Sequence, residues 1–245
     1  MPTGRDGEES EGRGGRWVRL GVVRRDAVGV VGASGSGKTT LLRTLVGLHR
    51  ATAGTVSLGD TPLAPTAHGR SRDQRRRLPL VPQDPLGTLN PGRTVGATLR
   101  RPLLLHRRAG RDAVPDRALE LLDQVGLPAA FADRYPHELS GGQRVAVARA
   151  LAADPDVLIC DEVTSALDTD TTVAVMDLLT ELRSRRGLSL VLVSHDLRLV
   201  ADRSDPLAVM SEGRVVESGP TGRRFTSPSH PVTGPPRGRE AEPRR

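Results

Sequence analysis

The chain is poor in aromatics, cysteine, lysine and long apolar runs. Aromatic residues are 2% of the sequence: one Trp, one Tyr and two Phe. Its core must therefore be built from Leu, Val, Ile and Ala. A single cysteine, Cys160, excludes a disulfide within the chain and argues against a Cys-based metal site. No apolar stretch approaches the ~20 residues that a membrane-spanning helix needs. The N-terminus shows no apolar segment of the kind that directs secretion. A soluble, cytoplasmic chain is expected, touching a membrane only through a partner.

The 245 residues suffice for one or two domains with a real core. Lys and Arg total 36 against 29 Asp and Glu, a net charge of +7. Such a balance suits nucleic acid or an anionic membrane surface. The arginines, however, come as scattered pairs (Arg100-Arg101, Arg107-Arg108, Arg185-Arg186) plus Arg75-Arg76-Arg77. They form no long basic block with interleaved aromatics, so no nucleic-acid site is expected.

Residues 1–16 are Gly-rich and charged, and residues 228–245 are rich in Pro and Arg; both are expected to be disordered. Between them, VGVVG (28–32), LPLVP (78–82), DVLIC (156–160) and LSLVLVS (188–194) read as strands. Their apolar residues are consecutive rather than alternating, as in strands covered on both faces. Helical patterns follow the first and the third. That alternation predicts an α/β domain with a mostly parallel sheet over 17–227. Within it, residues 93–152 show helical spacing and no obvious strand, and read as a helical insert.

Of the 36 Lys and Arg residues, all but one are arginine. The one lysine, Lys38, stands in GASGSGKTT, residues 32–40. This segment fits G-x-x-x-x-G-K-[ST], after a predicted strand and at the start of a predicted helix, as a P-loop requires. The glycines let backbone N–H groups turn in around a phosphate, and the helix adds its positive end. Gly32, Ser34, Gly35, Gly37 and Thr40 belong to this cradle. Lys38 would reach the β- and γ-phosphates, and the Thr39 hydroxyl would face Mg²⁺. A compact ammonium fits a backbone nest, whereas a forked guanidinium is too broad.

VLICDE (157–162) is an apolar strand ending in two acids. By itself it is a strand with a solvated end. Beside a P-loop it becomes a metal and water site, with Asp161 orienting Mg²⁺ and Glu162 as general base.

LSGGQRVAVARAL (139–151) places glycine and serine at the start of a long helix, a second anion-binding end. The whole set closely resembles the ATP-binding-cassette (ABC) ATPases. It comprises the P-loop, Gln83 after LPLVP, LSGGQ at 139–143, Asp161-Glu162, SALD at 165–168 and His195 after LSLVLVS. These motifs occur in the family's order and span residues 18 to about 220.

The resemblance implies a P-loop NTPase (RecA-like) core, a helical subdomain and a mechanism in trans. Two cassettes pack head to tail, and the LSGGQ of one closes over ATP held by the other. Ser140, Gly141, Gly142 and Gln143 would then contact nucleotide in a second ABC subunit. Gln83 would sense metal and water, and His195 would hold the γ-phosphate and attacking water. Asp168 would lie at the dimer interface. VPQDPLGTLNP and the tail SPSHPVT look like ATP-binding subunits of peptide and nickel importers. That likeness implies two transmembrane permease subunits and an extracytoplasmic solute-binding protein. It places this chain on the cytoplasmic face of the cell membrane.

Two departures stand out. The family's β-subdomain before the P-loop is cut short, so a truncated antiparallel subdomain is expected. Either the start is misplaced, or the subunit is truncated, or Trp17 substitutes for the usual adenine-stacking aromatic. Val163 stands where the family usually has proline, which should be tolerable. Two other readings stay open: an ABC ATPase acting on nucleic acid or the ribosome, and a degenerate cassette that binds ATP without turning it over.

Overall fold

In a computed structural model, residues 18–139, 142–165 and 167–221 are described. The expectations for residues 1–16, Trp17, Ser140, Gly141 and the tail from 228 onward lie outside these residues.

The chain order is β1 (Ala27–Val31), α1 (Lys38–Leu45), a hairpin of β2 (Ser57–Leu58) and β3 (Thr61–Pro62), α2 (Arg72–Arg77) and β4 (Leu80–Val81). Then come α3 (Val95–Leu105), α4 (Val114–Gln124), α5 (Gly142–Leu151), β5 (Val157–Asp161) and α6 (Thr169–Arg186). The chain closes with β6 (Ser189–Ser194), α7 (Leu197–Ala201), β7 (Leu207–Ser211) and β8 (Arg214–Gly219). One six-stranded sheet has the order β4-β5-β6-β1-β7-β8. Every pairing is parallel except β7 with β8.

Consecutive apolar residues in β5 and β6 serve two cores. Leu158, Cys160, Leu190 and Leu192 face α6 and the helices of the 93–152 segment. Ile159, Val191 and Val193 face the opposite side, where Leu42 of α1 and Met210 of β7 join them. Side chains alternate along a strand, so a strand covered on both faces needs apolar residues at every position.

The predicted strands appear with shifted ends. LPLVP contracts to Leu80–Val81 because Pro79 and Pro82 have no N–H for the ladder. The Pro79 carbonyl still accepts from Ile159 N at 3.1 Å. The predicted 93–152 segment holds α3, α4 and α5, with no strand among its described residues. The antiparallel subdomain is indeed reduced. Residues 18–26 form no strand, and among the described residues only the β2–β3 hairpin pairs outside the main sheet. Val18, Leu20 and Val22 nevertheless pack on the α1-side core.

α6 is bounded by its own residues. The Asp168 carboxylate caps its start, accepting from Thr171 N at 2.9 Å. Gly187 ends it in the left-handed conformation (φ 64°) that glycine adopts without a Cβ clash. Among the described residues, no helix is long and apolar enough to cross a membrane.

Candidate functional site

The parallel sheet sets the site: the C-terminal ends of β1, β4, β5 and β6 release the chain at one edge. Ligands bind at such carboxyl ends in open α/β sheets. β1 runs into Gly32, and α1 starts at Lys38 after Gly37, whose φ is 98°. A side chain at Gly37 would be strained there, and its Cβ would also press on Gly213 at 3.3 Å. At Gly32 an added Cβ would overlap the Met210 carbonyl oxygen. The loop is thus shaped by its own glycines and by the β7–β8 hairpin beneath it. Gly213 N donates to the Ser36 carbonyl at 2.9 Å.

Lys38 is buried. Its ammonium donates to the carbonyls of Gly32 (2.8 Å) and Ala33 (3.0 Å). It also lies 3.5 Å from Glu162 Oε1. Three donors thus have three partners. Ser34, Gly35 and Thr40 are exposed on the loop and at the helix start, open to a bound phosphate chain.

β5 ends in the acids. Asp161 is buried, and the Thr39 hydroxyl donates to its Oδ1 at 3.4 Å. Burial, aided by the neighbouring Glu162, pushes the Asp161 carboxyl above its ordinary value; the Thr39 hydrogen bond, Arg43 and Lys38 oppose that rise. Glu162 takes a left-handed backbone (φ 45°), a conformation costing a non-glycine residue about 1–2 kcal/mol. Two hydrogen bonds hold it: Glu162 N to the Val193 carbonyl and Ser165 N to the Glu162 carbonyl, both 3.0 Å. Backbone strain of this kind concentrates at functional sites.

The Glu162 side chain is the point of convergence. Lys38 faces Oε1, while Gln83 Nε2 donates to Oε2 at 3.2 Å and His195 Nδ1 lies 3.5 Å from the same oxygen. Gln83 follows β4 and His195 follows β6, so four strand ends deliver these groups. His195 is 61% exposed and Glu162 only 16%. A water bound at Glu162 would find a carboxylate oriented from two sides.

Asp168 is not in this cluster. Its carboxylate caps α6, and hydrogen bonds with Thr171 draw its pKa below the ordinary value. Gly142 and Gln143 begin α5, and no hydrogen bond joins Gln143 to the cluster among the described residues. Val163 is buried in the core, so the position tolerates an aliphatic side chain in place of proline. Sequence reasoning missed Gly213 and Met210, which support the loop from below. The signal was the Ser-Glu-Gly turn between the apolar runs LAVM and VV.

Among the described residues, no group of three or more His, Cys, Asp or Glu could cage a metal by itself. Thr39, Asp161 and Gln83 instead offer a sparse set of oxygen donors. That suits Mg²⁺, which keeps waters and substrate phosphates and takes only one or two protein carboxylates. A cation there would also relieve the desolvated Asp161.

Residues 16–165 match the family model described as ABC transporter. A Brucella abortus (strain 2308) protein named for peptide import ATP binding is 40% identical over 235 residues, covering 93% of this chain and 70% of the relative. The oligopeptide transport ATP-binding protein OppF of Salmonella typhimurium (strain LT2) is 40% identical over 219 residues, covering 88% of this chain and 66% of its own length. Among solved structures, the ATP-binding cassette MJ0796, a dimer in a post-hydrolysis state with ADP and Pi, superposes with a TM-score of 0.73 at 31% identity, over 83% of this chain and 89% of that one. The cbiO1 protein of Clostridium perfringens, part of the ABC transporter complex cbiONQ, gives 0.76 at 28% identity, over 85% and 82%.

Proposed function

This chain belongs to the ABC transporter family, and from that premise we propose that it is the ATP-hydrolysing subunit that energises a solute importer, with peptides as the cargo class. The observation that carries the proposal is the convergence on Glu162 of Lys38, Gln83 and His195. The peptide cargo is supported by the relatives, whose names concern peptide and oligopeptide transport.

We assign the ATPase unit to residues 17–227, with a helical subdomain at about 93–152. The P-loop backbone from Gly32 to Thr40 cradles the phosphates, and Lys38 exchanges Glu162 for phosphate oxygens. Thr39 and Asp161, with Gln83, would hold Mg²⁺, which neutralises phosphate charge when bound. Glu162 accepts a proton from the attacking water, whose oxygen bonds to the γ-phosphorus as the bond to the bridging oxygen breaks. Gln83 and His195 keep the carboxylate and water aligned. Charge on the departing ADP is met by Lys38 and by the N–H groups of the loop.

Ser140, Gly141, Gly142 and Gln143 would close on nucleotide held by a second ABC subunit, identical or homologous, with Asp168 near that contact. Two transmembrane permease subunits would complete the importer, fed by an extracytoplasmic solute-binding protein. The chain would sit peripherally on the cytoplasmic face of the membrane, with no nucleic-acid partner.

The test is the mass in solution of Glu162→Gln protein, alone and with a partner cassette, with and without MgATP. This change removes the base and keeps the acceptor for Gln83. An ATP-dependent dimer, abolished by adding Lys38→Ala, supports the proposal. ATP binding with no dimer in either setting would favour a degenerate cassette instead.

A further inference from the structure

Away from the Glu162 cluster, the C-terminal ends of α3 and α5 and the body of α4 enclose a cavity of about 260 Å³. Arg107, Arg108 and Arg117 share its lining with the carboxylate of Asp154. Leu103 and Leu121 supply apolar wall. Asp154 precedes β5 and Asp161 ends it, so the length of that strand separates the cavity from the P-loop edge of the sheet.

The guanidiniums here are unevenly matched by acids. Arg108 pairs with Asp154, and Arg117 pairs with Glu120. The Arg107 side chain makes no hydrogen bond or ion pair among the described residues. More positive charge stands behind this first set. Arg76 Nη1 donates to the Asp154 carbonyl at 2.7 Å. From α6, Arg186 donates to Gln124 Oε1 at 3.1 Å and to the Leu151 carbonyl at 3.4 Å, and no carboxylate pairs with it among the described residues. Burial, then the Arg117 charge, lowers the Arg186 pKa. Next to Arg107, burial followed by the charges of Arg76, Arg72, Arg75 and Arg108 lowers the His106 pKa. Its buried Nδ1 has no hydrogen-bond partner among the described residues. Like charges gathered this closely repel one another, and a bound anion would relieve them. Arg107 and Asp154 also both take left-handed backbones (φ 53°), which non-glycine residues adopt at a cost. Such strain collects at binding sites.

We propose that this cavity is an anion site for a compact phosphate ligand, with a diphosphate group bridging Arg107, Arg108 and Arg117. A planar guanidinium meets two phosphate oxygens side by side, so three such forks suit a ligand with several oxygens on adjacent centres. The ligand must carry more charge than the single carboxylate of Asp154, which it displaces from Arg108. The apolar walls exclude water and strengthen each charge contact. The site stands on its own cavity and does not depend on the ATPase reading.

The test is calorimetry on the full chain carrying Lys38→Ala, which removes the phosphate cation of the P-loop. Inorganic pyrophosphate and ADP are titrated separately, without Mg²⁺, up to millimolar concentration. Pyrophosphate should bind, and adding Arg107→Gln or Arg117→Gln should each weaken it by about tenfold, the effect of losing a charge-assisted contact. Arg24→Gln is the control for general loss of positive charge, since Arg24 is an exposed residue of the 18–26 segment. It should leave the affinity unchanged. Melting curves check that each variant is folded. ADP binding with the same dependence on Arg107 would identify the ligand as a nucleotide's diphosphate. Binding of pyrophosphate alone would identify a free diphosphate. A titration with no component sensitive to Arg107→Gln and Arg117→Gln would overturn the site. Equal weakening by Arg24→Gln would overturn it too, as it would reduce the effect to net charge.

Discussion

The Lys38 ammonium and the Glu162 carboxylate lie 3.5 Å apart, with both side chains at least four-fifths buried. They are the phosphate-binding cation and the water-activating base of the proposed reaction. Each therefore holds the other until a phosphate chain separates them. A γ-phosphate must displace Glu162 from Lys38, and in doing so it frees Oε1 for water.

Glu162→Gln should accordingly tighten binding as well as stop turnover. Without the competing carboxylate, the Kd for a non-hydrolysable ATP analogue should fall about 3–10-fold, since a tenfold change is ~1.4 kcal/mol. Calorimetry on the purified chains measures this. An unchanged or weaker Kd in the variant would mean that the ion pair does not compete with phosphate.

Lys38→Arg should be nearly as damaging as Lys38→Ala. The ammonium donates to the Gly32 and Ala33 carbonyls, 2.8 and 3.0 Å away, and the broader planar fork of a guanidinium does not reproduce that compact point contact. A charge-assisted hydrogen bond is worth ~1.5–3 kcal/mol, so a loss of roughly 10–100-fold in analogue affinity is expected from either change. An arginine variant with full affinity would refute the steric account of the single lysine.

Asp161→Asn should raise the stability of the protein while removing its Mg²⁺-dependent ATP hydrolysis. The folded-state pKa of Asp161 lies above the ordinary 3.8, chiefly through burial. The ionised side chain thus opposes folding at neutral pH, and its protonated form is favoured as pH falls. The gain from Asn should be full above the folded-state pKa and vanish below 3.8. For a chain of this size each kcal/mol moves Tm by ~2–4 °C. Melting curves at neutral pH and at about pH 4.5 check the sign; a lower Tm for the variant at neutral pH would contradict it.

Cys160 should resist thiol reagents in the native protein. It is 1% exposed on β5, and burial followed by the Asp161 charge pushes its pKa up to about 12. Thiolate is the reactive species, so native protein should show no titratable thiol and denatured protein one. Rapid labelling of the native chain would mean that β5 is more open than the fold implies.

Much of the site was legible because its chemistry is local. GASGSGKTT specifies a nest, a lysine and a helix start within nine neighbouring residues, and VLICDE places two acids at a strand end. β6 and β5 were readable from unbroken apolar runs. β7 and β8 were not, since LAVM is short and RVVESG alternates only loosely with polar residues. Their strand identity comes from pairing: β7 lies beside β1 as Gly29 faces Leu207, and β8 folds back along β7.

The sequence by itself determined which groups the protein has: one lysine in a glycine loop, an acid pair after an apolar strand, and a glycine-led helix. Those properties depend on residue type and on spacings of a few residues. Only the tertiary structure decided that Gln83 and His195 meet on one oxygen of Glu162, that Gly213 supports the Ser36 carbonyl, and that Arg108 pairs with Asp154. Each of those contacts joins residues distant in sequence. The parallel sheet order and the packing of two cores set them, and no local pattern of residues encodes that geometry.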